Sequence, residues 1–506
     1  MKILIGFDLM LSYLRKQDDV EGIDMVFNWI DKLKFKKYTD AGSIMLLTHF
    51  VSLNEFSRFH GFEYITNQPL LSELQKKLLP LLAYSLHKEE KNWAKVLLMQ
   101  LNQIIANNAD YLITDNIASH RLAELLGIED RIYTIEEFLE RCTAEYRNLD
   151  LNKGIAIFRM KLGQLNIADP FFETFKKDYN PYYENVWIKK KAEDEVYVAF
   201  EKKRIRALLK LKLEGKDEDY HDIFPPFLPC NRLKISSMKV DYTGEKLGQR
   251  FLHIIFMQAV EKKVDEIYVT IVNRSAIRRR LINLLEYWGF KFHGLKDNHE
   301  EVYVRSMKTK DWSYPFFYYP FQSKKKPTFI IPIGYNYSQE LLPSFEYLKK
   351  EGDIEPYKAA IRKIIVLQDP FFKISSNSNL LFYQINQYNQ GKIIASGIVN
   401  HIKQNFKAKK DFIRYCRKRG ILTLTMLEDL WEHFENLMVV DFLYNYSFDG
   451  DNIVDGVLQK ADVDVNLLKQ NKGLRINSCQ LAKIINGTSY EKNIIADKTN
   501  LCKSYL

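Results

Sequence analysis

Asp110-Tyr111-Leu112-Ile113-Thr114-Asp115 is the stretch on which the fold of the first part of this chain turns. Three apolar residues between carboxylates, with a threonine just before the second acid, make a short buried strand that ends on a negative charge. A helix is expected next, near Ile117–Leu126, and then a closing strand near residues 131–134. Working outward, Lys2-Ile3-Leu4-Ile5-Gly6-Phe7-Asp8 repeats the pattern. Its apolar run is too short for a secretory leader and is cut by an aspartate, so it reads as a strand, with a helix from about Leu9. Residues 43–47 form a second strand candidate and a helical pattern opens near Leu53. Residues 70–106 carry apolar side chains at helical spacing, with Lys and Glu on the other face. Strands alternating with helices predict a parallel α/β sheet.

Four acids fall where these strands end or helices begin: Asp8, Glu55, Asp110 and Asp115. The carboxyl ends of parallel strands share one edge, where ligands bind. Carboxylates gathered there repel one another unless a cation neutralises them, and such oxygen ligands suit Mg2+ or Mn2+. A bound ion of this kind activates water against a phosphodiester. The same acids equally serve as helix N-caps and solvated turn residues.

Over roughly residues 1–140 the pattern resembles the PIN-domain family. The matching text is the strand into Asp8, then Thr48-His49-Phe50-Val51-Ser52-Leu53-Asn54-Glu55-Phe56, then residues 109–115 and the tail 118–139. The resemblance implies a metal-dependent nuclease of single-stranded RNA, with Asp8, Glu55, Asp110 and Asp115 as catalytic metal ligands supported by the Thr114 hydroxyl. Leu9 and Met10 stand where the family carries small polar residues.

Near residue 149 the character changes. Strands are expected at 196–199, 207–212 and 232–240, and Val240-Asp241-Tyr242-Thr243-Gly244-Glu245-Lys246-Leu247-Gly248-Gln249-Arg250-Phe251-Leu252 then opens a helix. Glycines at such a turn let a backbone approach a pyrophosphate, which the free N–H groups and the helix dipole bind. A plain strand–turn–helix without a ligand has the same look. A strand at 266–270, a helix at 275–287 ending on Trp288-Gly289-Phe290, and a strand near 302–304 complete a unit that resembles the GNAT acetyltransferases over residues 150–308. The resemblance implies acetyl-CoA as cofactor, with Val240 facing the thioester and Gly244, Glu245, Lys246, Leu247, Gly248, Gln249 and Arg250 around the pyrophosphate. Lys246 replaces the usual middle glycine, and Leu285 stands where the family often has a tyrosine as general acid, with Tyr287 two residues on.

Residues 379–383 and 391–399 resemble the PUA-like (EVE/ASCH) small β-barrels, which implies recognition of RNA or a modified base. The nearby run Lys403, Lys407, Lys409, Lys410, Arg414, Arg417, Lys418 and Arg419, interleaved with Phe406, Phe412 and Tyr415, suits phosphate contact and base stacking. A solvated amphipathic helix has the same composition. The aromatic stretch 312–321 reads as packing between the second and third domains.

The expected architecture is therefore α/β in three domains: residues 1–148, PIN-like; 149–310, a mixed α/β GNAT-like domain; and 351–506, a PUA-like barrel with helices, after a connecting segment at 311–350. The chain of 506 residues exceeds a single core of roughly 100–200 residues, and 46% hydrophobic residues argue against wholesale disorder. No run approaches the roughly 20 apolar residues of a membrane span. Five scattered cysteines without a CxxC pair argue against a zinc site and a disulfide framework and point to a reducing cytoplasm. A net charge of +10 favours a polyanionic partner such as RNA. The leading expectation is an RNA-directed enzyme with ribonuclease and acetyltransferase parts, its acetyl acceptor unspecified. A toxin-like ribonuclease whose second domain only senses acetyl-CoA, with an antitoxin-like partner, and a non-catalytic RNA-binding scaffold are the alternatives.

Overall fold

The computed structural model describes residues 1–14, 20–47, 61–66, 94–146, 155–173, 191–201, 203–241, 246–272, 276–297, 299–308, 310–343, 360–368, 373–386, 388–418 and 422–497. The described strands form three sheets.

The first unit runs β1 (Lys2–Ile5), α1 (Phe7–Leu14), α2 (Val20–Lys32), β2 (Lys36–Asp40), α3 (Ala41–Leu47), β3 (Phe62–Ile65), α4 (Ala94–Ile105), β4 (Tyr111–Ile113), α5 (Ile117–Leu126), β5 (Ile132–Tyr133) and α6 (Ile135–Tyr146). Its strands are all parallel, in the order β3-β2-β1-β4-β5. Helices cover both faces: Ile3 and Ile5 of β1 pack with α1, α2 and α6, while Leu4 packs with α4 and α5. That explains why β1 reads as a continuous apolar run. The chain leaves β1 on one side for β2 and β3, then returns to the other for β4 and β5. The crevice beyond the carboxyl ends of β1 and β4 is thus the switch point of the sheet. Residues 43–47 are helical, against expectation. Asp40 ends β2 and its Oδ1 accepts the Ser43 N–H at 2.9 Å, capping α3. The strand lies one step upstream, in Lys36-Lys37-Tyr38-Thr39-Asp40, whose polar composition conceals it.

The second unit is one mixed sheet, β6 (Ile157–Lys161), β7 (Glu195–Glu201), β8 (Arg204–Glu214), β9 (Ile223–Phe224), β10 (Arg232–Val240), β11 (Glu266–Ile271), β12 (Lys291–Lys296) and β13 (Glu301–Ser306), in the order β6-β7-β8-β10-β11-β13-β12-β9. Among its described strands only β10 and β11 pair in parallel, and α7 (Leu247–Glu261) lies between them in the chain. With α8 (Ala276–Tyr287) it covers one face, burying Phe251, Ile255, Ile282 and Leu285 against Leu209, Ile235, Ile267 and Val269.

The third unit contains β14 (Thr328–Ile333), β15 (Arg362–Gln368), β16 (Asn379–Ile385), β17 (Gly391–Gln404), α9 (Lys409–Arg417), α10 (Leu424–His433), β18 (Leu437–Ser447) and β19 (Leu474–Ile476). The sheet order is β15-β18-β17-β16-β14-β19. Two expectations change. β14 falls in the supposed connecting segment, so this unit begins upstream of residue 351. The barrel is not closed among the described residues, because β15 and β19 end the sheet without pairing to each other. Bulges at Ser396/Gly397 and Val399/His401 curve it instead. As expected, the aromatic stretch joins the second and third units: Phe316, Tyr318 and Tyr319 share one core with Trp288, Ile398 and Leu443. No described helix is long and apolar enough to cross a membrane.

Candidate functional sites

Asp8 and Asp115 meet at the switch point of the first sheet. Asp8, in the first turn of α1, accepts the Thr114 hydroxyl on Oδ1 and the Asp115 N–H on Oδ2, both at 2.8 Å. The Thr114 hydroxyl thus helps to hold the Asp8 carboxylate in place. Asp115 follows β4, and its Oδ1 accepts the Ile135 N–H at the head of α6 at 3.0 Å. Two side chains of α8 reach in from the second unit. Arg280 forms an ion pair with Asp115 Oδ2, and Asn283 Nδ2 donates to the Asp115 carbonyl at 3.2 Å. Burial raises the Asp8 carboxyl against the pull of its three hydrogen bonds. Burial, then Asp8, push Asp115 upward too, while the guanidinium in contact favours its charged form.

Asp110 does not join them. Asp110 lies at the opposite edge, its Oδ2 accepting the Lys2 N–H at 2.8 Å. The whole of β4, about 10 Å of extended chain, separates it from Asp115, so acids at the two ends of one strand cannot share a metal. Glu55 falls outside the described residues. Leu9 and Met10 are core residues, and Met10 Sδ takes the Thr39 hydroxyl at 3.1 Å. The sequence reading missed Asp40, fully buried on the carboxyl edge, whose Oδ2 accepts from Ser43 Oγ and Gln100 Nε2. An Asp-x-x-Ser cap after the polar strand was the available signal. Among the described residues no group of three or more His, Cys, Asp or Glu is placed to hold a metal ion. With Arg280 seated, a guanidinium supplies the counter-charge to this pair of carboxylates.

The second site lies where β10 and β11 part. Their pairing stops at Ile235–Val269, although β10 runs on to Val240 and β11 to Ile271. Beyond that point β10 follows β8, and β11 follows β13. Ser236 is bulged out of the β8–β10 ladder at the same place. Backbone N–H and C=O groups on the facing sides of the two strands thus lose their partners across a wedge. The wedge leads to the head of α7, whose first amides lack intrahelical acceptors. Gly244 and Glu245 fall outside the described residues. Lys246 adopts φ 52°, a left-handed conformation glycine takes without cost. Its ammonium lies 3.7 Å from Glu140 Oε2 on α6, both side chains being buried. A Cβ at Gly248 would come within 3.3 Å of Leu284 Cδ2, tighter than ordinary contact, so the head of α7 lies close against α8. Arg250 is directed elsewhere, donating to the Ile155 carbonyl at 2.6 Å, so it ties the unit together and does not extend the turn. The Gln249 Oε1 is buried without a hydrogen-bond partner, an acceptor suited to an amide N–H of a pantetheine arm. This acceptor and the first amides of α7 fit the amide and diphosphate groups of an acyl-CoA. Leu285 is core, and the Tyr287 hydroxyl donates to Glu124 Oε1 at 3.1 Å, remote in role from a thiolate acid.

The basic run of the third unit is spent mostly on the first. Lys403 Nζ donates to the Gly127 carbonyl, Arg414 pairs with Asp130, and buried Lys418 donates to the Glu129 carbonyl at 2.6 Å and lies 3.3 Å from Glu137. Lys409 pairs with Glu432 on α10. Phe406, Phe412 and Tyr415 pack in a local core, so the amphipathic-helix alternative holds. Lys407, Lys410 and Arg417 are exposed, and Arg419 lies outside the described residues.

No protein-family model matches the chain, and no curated protein matches it. Among solved structures, an ASCH protein from Zymomonas mobilis covers 34% of this chain and 99% of its own at 9% identity, TM-score 0.25. A GNAT-family acetyltransferase from Elizabethkingia anophelis with acetyl-CoA bound covers 30% and 98% at 12% identity, TM-score 0.20. An N-acetyltransferase from Staphylococcus aureus Mu50 covers 30% and 97% at 12% identity, TM-score 0.22. These are similarities of parts of the chain, at levels that carry no functional argument.

Proposed function

We propose that the second unit binds acyl-CoA and transfers its acyl group to an acceptor. One observation carries this reading: the one parallel pair among the described strands of the sheet parts at Ile235–Val269, beside the Ser236 bulge, and the wedge points at the head of α7. An acyl-CoA would enter with its thioester carbonyl on freed β10 amides, its pantetheine arm along Val240, and its diphosphate on the amides of Leu247, Gly248 and Gln249. When bound, it supplies the activated acyl group. The chain orients the thioester and shields it from water on the α7–α8 side. Calorimetry with acetyl-CoA tests the reading. We expect 1:1 heat and a thermal shift, both abolished by Gly248→Val, which forces the head of α7 off Leu284. No heat with the unaltered chain ends it.

For the first unit, the meeting of Asp8 and Asp115 at the switch point favours a second reading, a ribonuclease acting on RNA held partly by Lys407, Lys410 and Arg417. The Arg280 contact opposes it. Single-stranded RNA with Mn2+ decides between them. A ribonuclease is cut by the unaltered chain and not by Asp115→Asn. No cleavage, or equal cleavage by both, leaves the crevice as a docking socket for α8.

A further inference from the structure

The wedge between β10 and β11 has two faces, and α7 and α8 cover one of them. Leu233 and Ile235 of β10 share the core with Phe251 and Ile255 of α7. Alternation along the strand turns Lys234, between them, to the other face. Lys234 pairs with Tyr268 one step before the parallel ladder stops, and it stands two positions before the bulged Ser236. Its ammonium lies over the Tyr268 ring, 5.4 Å from the centroid, and among the described residues it makes no hydrogen bond or ion pair. Other lysines of this face are held. Lys210 pairs with Asp194, Lys212 pairs with Glu214 at 2.9 Å, and Lys239 donates to the Phe171 carbonyl at 2.6 Å. Tyr268 is fixed in turn, its hydroxyl donating to buried Glu214 at 2.6 Å. Ser237 and Thr270, the next residues of β10 and β11 on this face, are half-buried like Lys234.

We propose that Lys234 is itself an acyl acceptor, modified by the acyl-CoA that the second unit binds, an inference that rests on the acyl-CoA reading of the wedge. A thioester carbonyl held on the β10 amides freed beyond Ile235 has its α7–α8 side shut, so its carbon is attacked from the face that carries Lys234. Two residues of strand, about 7 Å, separate Lys234 from the bulge, and its flexible four-carbon stem covers that span. The Lys234 nitrogen, as the free amine, forms a bond to the acyl carbon. The carbon–sulfur bond breaks, and the proton shed by the nitrogen goes to the departing thiolate. An amide on Lys234 and the CoA thiol are the products, and no further reactant is needed. Burial, against the pull of Glu214 and Glu300, holds this lysine below its ordinary range, and the nearby Lys296 and Lys212 act in the same direction as burial. More of it is therefore present as the reactive amine at neutral pH than of a solvated lysine. An amide does not hand the acyl group on as a thioester does, so each chain takes one. The modification exchanges an ammonium for a neutral, bulkier amide on the face from which an external acceptor would arrive.

Intact-mass and peptide-mapping mass spectrometry of the full-length chain after mixing with acetyl-CoA, run beside calorimetry, tests this. We expect one acetyl group per chain, located on Lys234, with CoA thiol released in equal amount. Proximity should favour Lys234 over the exposed Lys407 and Lys410 by about a hundredfold or more in rate. Lys234→Arg keeps the positive charge and should bind acetyl-CoA as the parent does, while losing both the modification and the thiol release. Binding of acetyl-CoA without acetyl on Lys234 overturns the inference. So does acetyl spread evenly over Lys234, Lys407 and Lys410, which marks chemical acetylation from solution. A preference for Lys234 that survives unfolding in urea overturns it as well, because the wedge is then not its source. All three outcomes are read on the unaltered chain, so none depends on the variant folding. If calorimetry shows no acetyl-CoA binding, the acyl-CoA reading itself falls and takes the inference with it.

Discussion

Single side chains set how this molecule answers to pH. His253 of α7 is buried, its Nδ1 3.1 Å from the Tyr319 hydroxyl, and burial followed by the nearby Lys363 pulls it down to about 3. A histidine titrating near 6.5 when unfolded and near 3 when folded takes up its proton first in the unfolded state. Its stabilising contribution is complete above about pH 6.5 and is lost as pH falls from there toward 3. Denaturant midpoints measured from pH 7.5 to 4.5 should fall with pH, and His253→Leu should flatten part of that slope. A slope identical to that of the parent would assign the acid sensitivity elsewhere. Asp115 shows the limit of reading single acids from sequence. Its position after a strand was legible, while its counter-ion, Arg280, is 165 residues away in the chain.

At the scale of elements, α9 illustrates how a basic run divides between roles. A helix heavy in lysine and arginine next to aromatics reads equally as an RNA surface or as a solvated face. Its neighbours in space decide, because Asp130 and the carbonyls of Glu129 and Ile132 present acceptors to Arg414 and Lys418. Removing one partner from such a buried site leaves the others unsatisfied. Lys418→Met should therefore cost about 3 kcal/mol of stability, whereas Lys410→Met, at an exposed position, should stay within about 0.5 kcal/mol of the parent. Urea unfolding compares the two. Equal small effects would mean that the α9 contact with the first unit adds no stability. The elements themselves were largely readable: α5, β10 and β11 stand where periodicity put them. The strand β2 was not, because its polar residues form neither an apolar run nor an alternation, and its last three are buried only by the packing around them.

Across the whole molecule, the three units meet at one buried polar cluster. Arg362 of β15 takes both carboxylate oxygens of Asp441 through Nε, at 3.0 and 2.9 Å, and its other nitrogens reach Glu124 of α5 at 2.9 Å and the Tyr287 hydroxyl of α8 at 3.1 Å. The Tyr314 hydroxyl closes the cluster on Glu124. One guanidinium thus links all three units, and the chain should unfold in a single calorimetric transition. Arg362→Met, which leaves Asp441 and Glu124 buried without it, should split that transition into at least two. One sharp transition in the variant would locate the coupling in the shared aromatic core instead. The sequence alone determined many of the strands and helices, and that a parallel sheet leads and a mixed one follows, because hydrophobic period and turn residues act over a few neighbouring positions. Only the tertiary structure decided that Asp110 lies at the wrong edge, that Arg280 stands where a metal was expected, and that Lys246 and Lys418 spend their charge on the first unit. Those outcomes depend on which distant groups share a buried space, and charge compensation there follows distance in space and not distance along the chain.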